Sequence, residues 1–307
     1  MSLLKLDYPV YSLDRRLLLR AGTTLTDAAL EALITSRGTE HRKTYTLLQY
    51  GTVKQDIMAL LGQPPVSTII SDEKQFTDVM NIMEQVKLGL PVLESIEYFK
   101  NHDFYTYRHI LVVFALSTLI SIHLISDYRV RVKESATGPT HDFGKICIPV
   151  SVLRKTTPLT RDERKILKHH TTAGYILLSH YLRDTEHLAV RVAKDHHERN
   201  NGSGYPGGIN LNDRAVEIVA VCDIYDALSA SRPYRPISFD NRSALEEITL
   251  MAERGDVSWE VVQALVAQNR KGKPHFSECS VSLEKRGVPP PGNLYGVIAE
   301  NVSTAPA

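Results

Sequence analysis

Residues 109–123 read HILVVFALSTLISIH, an apolar run from Ile110 to Ile122 bracketed by two histidines. Its 13 residues fall short of the ~18–20 that a membrane-spanning helix needs, so the run reads as a buried helix of a globular core. Downstream, to about residue 270, helical periodicity continues, parted by Gly- and Pro-containing loops at Thr137–Thr140, Thr156–Leu159 and Asn200–Asn210. No strand-helix alternation interrupts it, and an all-α unit is expected.

Upstream, Val10–Ser12 and Leu17–Leu19 flank the turn-like Leu13-Asp14-Arg15 and predict a small hairpin. Thr26 or Asp27 can cap the helix that follows, AALEALITS, with Gly38 past its end. A further helix over Val53–Leu61 stops at Gly62-Gln63-Pro64-Pro65. Asp72–Asp103 reads largely as one long helix joining the two units, with a break at Pro91. The segment 271–307, with KGKP and GVPPPG, is expected to be irregular.

The chain has 307 residues, 43% hydrophobic and 23% charged, which excludes disordered, collagen-like and disulfide-stapled classes. Its 36 basic and 35 acidic residues leave a formal charge of +1. That balance provides no broad field for a DNA or RNA polymer or an anionic membrane, so any anion must be held locally. Cys147, Cys222 and Cys279 form no CxxC pair, and residues 1–20 show no secretory pattern, so a reducing, cytoplasmic setting is expected.

Histidine is over-represented: 12 residues, against 7 Phe and 1 Trp. A lone histidine on an apolar face is usually a satisfied core residue. Adjacent pairs weaken that reading: His141-Asp142, His169-His170 and His196-His197, together with His109 and Asp223, recur beside apolar runs. The intervals between them fix no metal, because ligand spacing in a helix bundle is set by packing. A donor set rich in imidazole, with a few carboxylates and no thiolate, suits iron, manganese, nickel, cobalt or zinc.

HDFGK at 141–145 and HHERNNGSGYP at 196–206 resemble the HD-GYP subgroup of the HD-domain phosphohydrolases. The likeness extends through LTRDERKILKHHTTAGYILL at 159–178 and AVCDIYDALSASRPYR at 220–235. It implies a mainly α fold, an HD-type bundle of about seven helices, preceded by a small N-terminal domain with a hairpin and helices. It also implies metal-dependent hydrolysis of the bacterial messenger cyclic di-GMP to pGpG and onward to GMP by a hydroxide activated between two metals. The expected domains are 1–98, regulatory or dimerising, 99–270, catalytic, and 271–307, the tail. Signalling proteins and a second copy of the chain are the other expected partners.

By this resemblance one metal takes His109, His141, Asp142 and Asp223, and the other takes Asp142 as a bridge with His170, His196 and His197. His170 is chosen over His169 because the family's HxxxG pattern matches His170 and Gly174. Iron is the expected metal, with manganese the alternative. Two dications against two carboxylates leave about +2, suited to a substrate with two phosphodiesters. Lys145, placed on a shared helix face with His141 and Asp142, is expected to hold a phosphate oxygen. Arg232 and Arg235 are expected on guanine or phosphate. Tyr205 is expected at the pocket edge, and Asp226 on a ligand or the substrate. Glu198 and Arg199 are expected to support the histidines before them.

Three departures from the family qualify these expectations. Tyr105 stands where some members have a glutamate for a third metal, so two ions are expected. Asn200-Asn201 replaces the common Trp-Asp, and ESATGPT at 134–140 replaces an apolar helical run. The last two favour a weakly active protein that binds cyclic di-GMP or docks signalling partners. A further alternative is hydrolysis of another nucleotide.

Overall fold

The computed structural model describes residues 4–35, 43–231, 237–291 and 297–299, and the structural statements concern these. Strands β1 (Val10–Tyr11) and β2 (Leu17–Leu19) form the expected antiparallel hairpin. Its turn is pinned to the helical unit, because Leu13 N–H donates to the Tyr181 hydroxyl at 2.9 Å. Helix α1 (Asp27–Thr35), strand β3 (Thr44–Thr46), α2 (Val53–Leu61) and the single-turn α3 (Val66–Ile69) follow. Gly62 ends α2 as its position predicts.

The long helix expected over Asp72–Asp103 is three elements instead: α4 (Glu73–Met83), β4 (Lys87–Gly89) and α5 (Leu90–His102). Pro91 does not break a helix. It lies in the first turn of α5, where a missing N–H forfeits no intrahelical bond. The interruption comes earlier because Lys87–Gly89 pairs antiparallel with Thr44–Thr46. That partner is distant in sequence and leaves no trace in local periodicity.

The expected boundary at 98/99 falls inside α5, which passes through Asp103 directly into α6 (Phe104–Leu124). At 21 residues α6 is long and apolar enough to cross a membrane, yet 78% of its most apolar window is buried. It is the axis of the fold, contacted by α2, α4 and α5 and by the later helices Tyr128–Ser135, Arg214–Ser229 and Trp259–Gln268. After α7 (Tyr128–Ser135) come two 3-10 turns, Gly138–Thr140 and Phe143–Cys147, and the single-turn α8 (Val150–Leu153). Then follow α9 (Arg161–Leu182), α10 (Leu188–Asp195), α11 (Arg214–Ser229), α12 (Asn241–Glu253) and α13 (Trp259–Gln268). Among the described residues α6, α7 and α9–α13 are the bundle's seven helices of two turns or more.

Polar caps fix where these helices begin. Thr160 and Glu163 form a reciprocal capping box at the start of α9, and the Asp213 and Asp240 side chains cap α11 and α12. One apolar core runs from Leu6 through α6 to Cys279, so the N-terminal elements and the bundle share it. The C-terminal segment is irregular, as expected, but docked: Gln263 Nε2 donates to the Cys279 carbonyl at 2.9 Å, and Lys273 Nζ donates to Gln75 Oε1 at 2.8 Å.

Glu134, at the end of α7, carries a buried Oε2 with no hydrogen-bond partner. Burial, reinforced by Asp213, pushes its carboxyl from the ordinary 4.5 up to about 7. Ionising it in the folded state therefore costs stability. The cost is absent below the unfolded pKa and complete above the folded one. Glu134→Gln is expected to stabilise the protein by about 1–2 kcal/mol at pH 8, the shift being discounted for residual solvent contact. At pH 4.5–5 little gain is expected. Urea unfolding at the two pH values checks this, and equal gains at both would contradict it.

Candidate metal centre

Five elements converge here: α6, the 138–147 turns, α9, the end of α10 and α11. Their approach depends on two glycines. A Cβ on Gly144 would lie 1.9 Å from the His170 carbonyl oxygen and 2.4 Å from Gly174 N, so only glycine lets the turn after Asp142 seat on α9. Gly174, one turn after His170, is the complementary surface. The HxxxG spacing thus places a ligand beside the gap that admits Asp142.

All seven residues expected as ligands come together. Asp142 Oδ2 lies 3.4 Å from His109 Nε2 and 3.3 Å from His141 Nε2, while Oδ1 lies 3.5 Å from His170 Nε2 and 3.9 Å from His196 Nε2. One carboxylate faces two histidine pairs, one oxygen to each. Asp223 completes the first group, with Oδ1 3.1 Å from His109 Nε2. His197 completes the second, and His170, His196 and His197 have donor atoms within 4.8 Å of one another. The Nε2 atoms of His109 and His141 are 3.2 Å apart, and those of His170 and His196 are 3.3 Å apart. Donors bonded to one ion at about 2.0–2.2 Å stand roughly 3.0–3.6 Å from each other, so these spacings fit divalent metal.

The opposite edge of four rings is engaged. His109 Nδ1 meets Asp226 Oδ2 at 2.8 Å, His141 Nδ1 the Gly138 carbonyl at 2.6 Å, and His170 Nδ1 the Leu167 carbonyl at 2.7 Å. His196 Nδ1 lies 3.1 Å from the carbonyls of Val192 and Ala193. In the neutral ring an Nδ1 that faces a carbonyl or carboxylate oxygen carries the proton, which leaves the Nε2 lone pair for a metal.

Charge follows the same division. Burial lowers His170 to about 4 and His196 to about 3, so both are neutral, as ligands must be. Burial also opposes a charged His109, but hydrogen bonds to Asp142, Asp223 and Asp226 outweigh it and raise the ring to about 10. Burial resists ionisation of Asp142 too, yet Lys145 and His141 hold it well below the usual carboxylate range. The first group is built to stabilise positive charge.

Residues 117–258 match the family model described as the HD domain. The chain carries an HD domain. The cyclic di-GMP phosphodiesterase response regulator RpfG of Xanthomonas campestris is 45% identical over 113 residues, 36% of this chain and 30% of that protein. A cyclic di-GMP phosphodiesterase of Thermotoga maritima is 34% identical over 177 residues, 57% of this chain and 45% of that one. A 3'3'-cGAMP-specific phosphodiesterase of Vibrio cholerae is 36% identical over 120 residues, 38% of this chain and 22% of that one. The matched part spans less than half the length of each relative.

Around the HD domain's centre, several expectations need correction. Asp226 is buried behind His109, and Arg108 Nη1 reaches both its oxygens at 2.7 and 3.0 Å. It holds the His109 ring, with Asp226 Oδ2 2.8 Å from Nδ1. Arg108 escaped the sequence reading because its partner is 118 residues away. Glu198 does not support the histidines. Its carboxylate accepts from the backbone N–H groups of Gly207, Gly208 and Ile209 and so clamps the glycine-rich loop. Arg199 Nη1 donates to the Glu198 carbonyl at 2.8 Å and lies 3.4 Å from that of His196, so it braces the backbone of the HHER segment.

Lys145 is not on a helix with His141 and Asp142. It sits in a 3-10 turn, with its Nζ 2.6 Å from Asp142 Oδ2. Tyr205 stacks on His197, ring centroids 4.7 Å apart and 16° from parallel. His169 lies outside the ligand groups, edge-on to Tyr8. Arg232 and Arg235 lie outside the described residues.

Two of the departures have structural uses. Gly138, in ESATGPT, supplies the acceptor for His141 and has no room for a Cβ against Ser117 and Phe114. Asn200 Nδ2 donates to Glu217 Oε1 at 3.0 Å and Asn201 Nδ2 to Asp256 Oδ1 at 2.7 Å, fastening the loop to neighbouring elements.

Proposed function

We propose that this chain hydrolyses a phosphodiester of cyclic di-GMP to pGpG and onward to GMP in the bacterial cytoplasm, using two divalent ions, iron or alternatively manganese. The observation that carries this reading is the single Asp142 carboxylate with one oxygen toward each histidine group. The activity named for two of the relatives supports it.

His109, His141, Asp142 and Asp223 would hold one ion, and Asp142, His170, His196 and His197 the other. When bound, such a pair supplies Lewis acidity toward phosphoryl oxygens and acidifies water. The chain's own residues set the rest. The engaged Nδ1 atoms keep the imidazoles in one tautomer and one orientation. Lys145, its side chain 13% exposed and its Nζ 2.6 Å from Asp142 Oδ2, would pair with a non-bridging phosphate oxygen. Tyr205 covers His197 by stacking on its ring.

Incubating iron- or manganese-loaded protein with cyclic di-GMP under anaerobic conditions is expected to yield pGpG and GMP. Binding without product would favour the silent binder instead. That alternative draws on Asn200-Asn201 and residues 134–140, both of which sit in supporting contacts. A second substrate reading, 3'3'-cGAMP, is favoured by the Vibrio relative and is tested by turning over both dinucleotides side by side. Faster cleavage of 3'3'-cGAMP would reverse the assignment.

A further inference from the structure

Lys168 lies one turn of α9 before Thr172 and immediately before the His169-His170 pair. Its Nζ sits 4.5 Å from the centroid of the Tyr205 ring, whose plane is stacked on the metal-group residue His197. An exposed ammonium is therefore one aromatic ring away from the centre. The neighbouring Lys165 is 3.4 Å from Asp7 of the N-terminal segment. Lys168 instead lies over the Tyr205 ring.

Between these groups is a cleft of about 180 Å³ lined by Lys5, Asp7, Lys165, Lys168, Thr172 and Tyr205. Three of these side chains are cationic and one is anionic. The cleft is thus suited to a second anion close to the metal groups. Its walls come from the N-terminal segment, α9 and the glycine-rich loop, so the elements before the HD domain contribute to the site.

We propose that Lys168 and this cleft form a subsite for the phosphodiester of the cyclic dinucleotide that is not under attack. The inference rests on the proposed function, which supplies a substrate with two phosphodiesters. With one held at Asp142 and Lys145, the other needs a counter-charge of its own, and Lys168 provides it across the Tyr205 ring from His197. Lys168 is then a specificity residue, acting on affinity more than on the bond-breaking step.

Steady-state kinetics of metal-loaded wild type, Lys168→Ala and Lys168→Arg tests this, with cyclic di-GMP and with bis(p-nitrophenyl) phosphate, which has one phosphodiester only. Lys168→Ala is expected to raise KM for cyclic di-GMP about tenfold, with kcat changing less than threefold. Its loss of kcat/KM on the dinucleotide should exceed that on the small diester at least fivefold, and Lys168→Arg should recover most of the difference. A KM within twofold of wild type, or equal losses on both substrates, overturns the subsite while leaving the proposed function standing. Absence of both hydrolysis and binding of cyclic di-GMP in the wild type overturns the function and the subsite with it.

Discussion

Asp142→Ala is expected to abolish binding of both metal ions together, from two per chain in the wild type to fewer than about 0.2, and to reduce phosphodiesterase activity by at least about a thousandfold. The reason is geometric. Oδ2 serves His109 and His141, and Oδ1 serves His170 and His196, so one side chain is common to both groups. Asp223→Ala should behave differently. Its shortest ligand-group contact is His109, at 3.1 Å, so one ion should be weakened and the histidine-rich group largely kept. Elemental analysis of anaerobically purified proteins checks both. Full occupancy in Asp142→Ala would show that the bridge is wrongly assigned, and three metals per wild-type chain would refute the two-ion reading that Tyr105 prompts.

Gly144→Ala is expected to cost about 3 kcal/mol or more of stability, and metal affinity with it. The new methyl would meet the His170 carbonyl at 1.9 Å and the Gly174 backbone at 2.4 and 2.9 Å. Backbone atoms inside a packed helix cannot swing aside as a side-chain end can, so the turn must lift off α9 and draw Asp142 away from His170. Gly62→Ala is the matched control. Gly62 is in a right-handed helical conformation, and the nearest atoms to an added Cβ are at 3.6 Å, so a change within about 0.5 kcal/mol is expected. Urea unfolding of the two variants compares them directly. A cost below about 1 kcal/mol for Gly144→Ala would contradict the close crossing.

Much of this was legible in the residues because it is local. Gly62 and the apolar face of Val53–Leu61 give α2, and the bracketed run at 110–122 gives the axis of the bundle. What failed was non-local. The split of Asp72–Asp103 follows from a strand partner at Thr44–Thr46, and the contacts of Asp226 and Glu198 are with Arg108, His109 and the Gly207–Ile209 backbone. Lys145 was placed near Asp142 correctly but on the wrong element, since Gly138-Pro139 leads into 3-10 turns and not into a helix.

By itself the sequence determined the kinds of donor, their order and the helical class, since imidazoles, carboxylates and apolar periodicity are properties of the residues. Tertiary structure alone decided that one carboxylate divides its two oxygens between two histidine groups, and that the Nδ1 atoms of His109, His141, His170 and His196 each find an acceptor. Those are relations between atoms on α6, the 138–147 turns, α9, α10 and α11. They exist only once Gly144 lets the turn close on α9, because hydrogen-bond and ligand distances are set by how backbones approach and not by separation along the chain.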